Sequence, residues 1–187
     1  HATRGIFPDD LGSAYLPNVF KLQAIMTEEE EYHTSLLAIT ELLKYGTTTF
    51  VDPGSTKYLD RCMDAYKQAG CRIIVGAHVT DKTNALALPV SSTTDAIQTI
   101  ETTIERFDHK LDGRIRAWAM PFAPNMCTDE LLLECKRLAD HYDTGLTLHY
   151  NNGPNYVETS IKESGLRPTQ YLEKLGILGE NVTLSHM

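Results

Sequence analysis

Glu41-Leu-Leu-Lys-Tyr-Gly46-Thr-Thr-Thr-Phe-Val-Asp52 decides how this 187-residue chain folds, because it runs a helix end, a glycine stop and a strand together. Upstream, Thr27-Glu-Glu-Glu reads as a capping box ahead of an apolar face made by Leu36, Leu37, Ile39, Thr40 and Leu43. Gly46 can take the left-handed conformation that closes such a helix. The β-branched run from Thr47 to Asp52 then reads as a strand, ended by the turn at Pro53-Gly54.

The same alternation repeats along the chain. A helix at about 56 to 69 stops at Gly70, and Cys71–Val79, Arg114–Met120, Gly145–Tyr150 and Val182–His186 read as four further strands. Asp95–Phe107 and Asp129–Tyr142 are the clearest helices between them. Hairpin signals are missing, so the strands are expected to lie parallel, each reached by a helical crossover. That leaves a barrel or an open doubly wound sheet. No GxGxxG or GxxxxGK[ST] follows any strand, which counts against a nucleotide-cradling fold. The stretches Pro8–Pro17 and Asp81–Thr94 read as surface loops, either plain connectors or covers over a strand-end pocket.

His149, in Thr144-Gly-Leu-Thr-Leu-His149, and His186, in Asn181-Val-Thr-Leu-Ser-His186, each close a short apolar strand. Successive parallel strands put such residues at one mouth of the sheet, where α/β folds bind ligands. Together the two imidazoles can share a metal ion; singly, each is equally well read as a packed or hydrogen-bonded histidine. His33 and the run Glu28–Glu31 sit on a helix, and His109 and His141 near helix ends, where each suits the helix dipole. Trp118 and Phe107 read as core, and Arg4 as an anchor of the opening loop.

The balance of 17 basic against 25 acidic side chains gives a net charge of −8, which disfavours nucleic acid and anionic membranes as partners. No stretch is long and apolar enough to span a bilayer, and the opening residues lack a secretory pattern. Cys62, Cys71, Cys127 and Cys135 show no CxxC spacing, so reduced thiols and a cytoplasmic location are expected.

In order along the chain, Arg4-Gly5, Glu41–Asp52, Met120-Pro-Phe-Ala-Pro-Asn-Met-Cys127, His149, Arg167-Pro-Thr-Gln-Tyr-Leu172 and Ser185-His186 resemble the metal-dependent amidohydrolase superfamily. The likeness is to the branch of cytosine, guanine and adenosylhomocysteine deaminases and triazine chlorohydrolases. It implies an α/β (β/α)8 TIM barrel with a divalent ion at its C-terminal mouth, zinc first, with iron, cobalt or manganese as alternatives. In that pattern His149 and His186 match the ligands that end the fifth and sixth strands. The family's H-x-H pair on the first strand and its aspartate on the eighth have no match here. Residues 1–187 are therefore expected to be an incomplete catalytic barrel, covering roughly strands two to six, without the first strand and strands seven and eight. With two histidines alone, metal binding is expected to be weak. The partners implied are a small-molecule substrate and, for the complete protein, a homo-oligomer.

Two departures from the family pattern bear on chemistry. The deaminase motif H-x-x-E reads His149-Tyr-Asn-Asn152, and P-H-A-P reads Pro121-Phe122-Ala-Pro124. An amide is no general base, and phenylalanine offers only an apolar face. Both changes favour hydrolysis of an amide, urea or carbamate-type carbon–nitrogen bond in a relatively apolar substrate, with Phe122 and Asn152 contacting it. His78 and Asp52, at neighbouring strand ends, are the candidates to replace the lost acid and base; a structural histidine and a turn aspartate are the plainer readings. The alternatives are a deaminase or chlorohydrolase of a nitrogen heterocycle, or an inactive barrel retained as a binding module.

Overall fold

The computed structural model describes residues 4–54, 56–151 and 153–186, leaving the side chains of Asp9, Ser13 and Pro154 aside. Its strands are β1 (Thr49–Val51), β2 (Arg72–Val75), β3 (His78–Val79), β4 (Ile115–Ala117), β5 (Met120–Pro121), β6 (Leu146–His149) and β7 (Val182–Ser185). Every pairing is parallel, in the orders β1-β2-β4, β3-β5 and β6-β7, with a bridge from Ala119 to Leu146 joining the last pair to the rest. Chain order is thus spatial order, as successive helical crossovers dictate.

Two expected single strands are each broken in two. At Gly76, between β2 and β3, an added Cβ would lie 2.5 Å from Met120 Cγ and 2.8 Å from the Trp118 carbonyl oxygen. The neighbouring strand presses on the backbone there, and the ladder resumes only at His78↔Met120.

Helix α2 (Glu28–Lys44) begins with the expected capping box, Thr27 N donating to Glu30 at 2.8 Å and Glu30 N to Thr27 Oγ1 at 3.3 Å. It ends in a Schellman arrangement, with Thr47 N bonded to Leu42 O at 2.9 Å and Gly46 N to Leu43 O at 3.1 Å. Helices α3 (Leu59–Ala69) and α4 (Thr93–Phe107) and the helix Asp129–His141 cover one face of the sheet. Cys62, Ala65, Ile104, Leu131, Cys135 and Leu138 meet Ile73, Val75, Ile115, Ala117 and Leu146 there, all essentially without solvent exposure. The four cysteines are free and buried, packing as small apolar groups. Among the described residues no helix is long and apolar enough to cross a membrane.

The opening stretch departs from expectation. Pro8–Pro17 is no loop: a 3-10 turn over Asp9–Ala14 leads into helix α1 (Tyr15–Ile25). Pro17 falls in the first turn of α1, where its missing N–H is not needed, so it does not break the helix. Glu31 also does more than complement a dipole. It is buried, and its carboxylate accepts the amides of Lys57 (3.0 Å) and Tyr58 (2.5 Å) ahead of α3. Arg4 pairs with Glu41 at 3.3 Å, as an anchor should.

Candidate functional site

Parallel strands deliver their C-terminal ends to one rim, and backbone bonds fix what stands there. Phe122 N donates to Val79 O (3.0 Å), His149 N to Phe122 O (2.8 Å) and Tyr150 N to Ser185 O (3.1 Å). The side chains beyond these bonds form a row of rings. The His149 ring centre lies 4.7 Å from Phe122, 5.4 Å from His78 and 5.4 Å from His186. His78 is 4.8 Å from Phe122. His186 holds a left-handed backbone (φ 68°), and so does Asn151 (φ 51°), each just past its strand. Such strain in a non-glycine residue concentrates at functional sites.

Burial, then the neighbouring His149, pushes His78 down to about 3. It is therefore neutral at pH 7 and offers one N–H and one lone pair, which makes it a hydrogen-bonding imidazole rather than a charged acid. His149 is lowered as well, by burial first and His186 second. Its Nδ1 is buried without a hydrogen-bond partner. Neutral imidazole is the form that binds metal. Two imidazoles on one tetrahedral zinc, with Zn–N near 2 Å, would have their ring centres about 5 Å apart, close to the 5.4 Å between His149 and His186. The pair fits as part of a divalent-metal site. Among the described residues, however, no group of three or more histidine, cysteine, aspartate or glutamate side chains is arranged to hold an ion.

Asp52 stands apart from the ring cluster. Its carboxylate accepts Gly54 N (3.1 Å), Thr56 Oγ1 and, at 3.5 Å, the Tyr66 hydroxyl, and it lines a cavity with Glu31 and Tyr66 rather than with the histidines. Gly54 in turn accepts His78 N at 3.2 Å, so this turn supports the site from below. Phe122 is buried (4% exposed) beneath Phe20, Leu86 and Leu88. Asn152 lies outside the described residues.

A cavity of about 540 Å³ opens over His78, walled by Phe20 from α1 and by Leu86, Leu88 and Pro89. Neither Phe20 nor the two leucines was singled out from the sequence. The signal was an apolar run, Leu86-Ala-Leu-Pro-Val90, inside an otherwise polar connector.

The Amidohydrolase family profile matches residues 1–187, and the chain belongs to that family. It is 29% identical over 184 residues to a 5'-deoxyadenosine deaminase of Methanobrevibacter smithii, across 98% of this chain and 41% of that protein. To a 5-methylthioadenosine/S-adenosylhomocysteine deaminase of Syntrophobacter fumaroxidans it is 30% identical, across 90% and 37%. The fold matches a variant atrazine chlorohydrolase of Arthrobacter aurescens TC1, complexed with zinc and atraton, with a TM-score of 0.81 at 20% identity, over 92% of this chain and 42% of that one. The chain thus spans about two fifths of the length of the relatives it matches.

Proposed function

We propose that the protein hydrolyses a carbon–nitrogen bond of an amide, urea or carbamate in a small, relatively apolar molecule. In this reading His149 and His186 are two ligands of a divalent ion, zinc first. Residues 1–187 form the middle of the catalytic barrel, and the remaining ligands come from elsewhere in the protein. The observation that carries the reading is the paired imidazoles 5.4 Å apart, one with a buried, unpartnered Nδ1. Leaving such an atom unsatisfied costs about 1–3 kcal/mol, and ligation of a cation would remove that cost.

When bound, a divalent ion would polarise the electrophilic carbonyl and make water nucleophilic near neutral pH. The chain's own residues supply the rest. His149 and His186, their ring centres 5.4 Å apart, would each offer a ring nitrogen to the ion. His78 offers a hydrogen bond to the substrate from the same rim, and Phe122 excludes water behind the rings. Asn152 donates from its amide to a substrate oxygen. Asp52 acts through the Gly54 turn, positioning His78. In the reaction the new C–O bond forms as the C–N bond breaks, one proton of water passing to the departing nitrogen.

The deaminase names of the relatives favour a second reading, ammonia release from a nitrogen heterocycle. The amide at Asn152, where that chemistry places a glutamate, weighs against it. The full-length protein, supplied in turn with zinc, iron, cobalt or manganese, separates the two. Amine release from N-substituted amides, ureas or carbamates, lowered at least 100-fold by His149→Ala and by His186→Ala, is expected. Ammonia release from adenosine-type nucleosides alone would put the second reading in its place. Metal binding without turnover of either set would leave a binding module.

A further inference from the structure

We propose that the cavity of about 540 Å³ over His78 seats a neutral or anionic aryl substituent of the substrate, with Phe20, Leu86 and Leu88 setting that preference; this rests on the hydrolase reading above. The volume falls in the range that takes small ligands. Its larger side chains on two walls are apolar, Phe20 on α1 and Leu86, Leu88 and Pro89 on the connector, while Gln23, Thr56 and His78 supply polar groups elsewhere in the lining. Phe20 stands on α1, edge-on to Phe122 at 6.3 Å, and His78 closes the inner end. An aryl ring there meets two rings, Phe20 and His78, and aromatic pairs in offset or edge-to-face contact add to area burial.

The second wall is pre-formed. Asn84 holds the connector closed on itself, accepting Leu88 N (3.0 Å) and donating to Leu88 O (3.3 Å). Buried Thr80 donates to Pro89 O (2.9 Å) and accepts Ser91 N at its carbonyl (2.9 Å). Leu86 and Leu88 are thereby packed on the buried cluster of Phe122, Ala123 and Met126, against which Phe20 packs as well. The hydroxyls of a sugar placed against this wall would lose water without gaining partners.

Charge on the rim narrows the class further. Lys21 and Lys57 line the cavity, and no aspartate or glutamate does among the described residues. The Lys57 ammonium already donates to Ala24 O (3.0 Å) and lies 4.6 Å from the Tyr58 ring centre. A cationic aryl group is thus disfavoured, while neutral and anionic ones are accepted.

Two measurements on the full-length protein test this. The first is the ratio of kcat/KM for N-phenyl over N-methyl members of one urea or carbamate series. The second is the affinity of N-phenyl-1-naphthylamine, read by fluorescence and independent of turnover. Burial of a phenyl ring predicts a ratio of about 10 to 100. The double variant Phe20→Ser/Leu88→Asn should lower both the ratio and the dye affinity about tenfold. Leu133→Asn, at an exposed position on the helix Asp129–His141, should move neither. Dye binding that the double variant does not weaken, or a ratio near one in the parent, overturns the assignment while hydrolysis itself stands. Dye binding weakened by the double variant in a protein that hydrolyses nothing upholds the cavity and removes the hydrolase reading.

Discussion

Replacing Gly54 by alanine should destabilise the protein through His78, and the size of that effect can be separated from backbone strain. Gly54 has φ +86°, and an alanine Cβ there would lie 2.8 Å from His78 N, 3.0 Å from His78 Cδ2 and 3.2 Å from Ala77 C. Two of those atoms are backbone, so β3 itself must move. A left-handed alanine costs about 1–2 kcal/mol, and overpacking of this kind adds about 1–3 kcal/mol. Gly70 is the natural reference: it has φ +76° with nothing within 4 Å of an added Cβ, so Gly70→Ala carries only the backbone part. Urea unfolding of both variants, compared at constant m, should show Gly54→Ala less stable than Gly70→Ala by about 1–3 kcal/mol. Equal losses would mean that the Asp52–Gly54 turn does not press on His78, and its assigned positioning role would go with that result.

Acid should weaken the metal-free protein through the same histidine. The unfolded chain takes up this proton near 6.5, the folded protein only at about 3, so His78 contributes its full stability above 6.5 and loses it as pH falls toward 3. Chemical unfolding at pH 7 and pH 5 should show a drop that is smaller in His78→Gln by roughly 1–2 kcal/mol; an unchanged drop would contradict the burial of that ring. The thiols make a simpler case, since burial pushes Cys62 and Cys127 up to about 11 and raises Cys71 and Cys135 as well. A thiol-reactive reagent at pH 8 should label none of the four until the protein unfolds, and stoichiometric labelling of the native protein would count against this core.

The helix-and-strand order was legible because its punctuation is local. Thr27 caps its helix with its own side chain, Gly46 and Gly70 stop theirs through their own backbone, and the apolar faces of α3, α4 and Asp129–His141 show in the spacing of their residues. Strand continuity was not legible, because the break at Gly76 comes from Met120 and Trp118, more than forty residues away. Helix α1 was hidden by Pro17, a residue that breaks helices everywhere except in the first turn. At the site, His149 and His186 could be paired from their strand-end positions. The company they keep could not. That His78 sits beside His149, and that Asp52 is taken up by Gly54, Thr56 and Tyr66, are consequences of strand pairing and turn geometry. The apolar wall needed two segments, each unremarkable alone, to meet over Phe122.

The central claim is that His149 and His186 reach one divalent ion. Cobalt(II) titration of the full-length protein, followed by visible absorption, addresses it most directly, because tetrahedral imidazole ligation gives a characteristic spectrum. One ion per polypeptide is expected, with a spectrum altered and an affinity reduced at least tenfold in both His149→Ala and His186→Ala. The same spectrum and affinity in the parent and both variants would place the ion elsewhere and contradict the account.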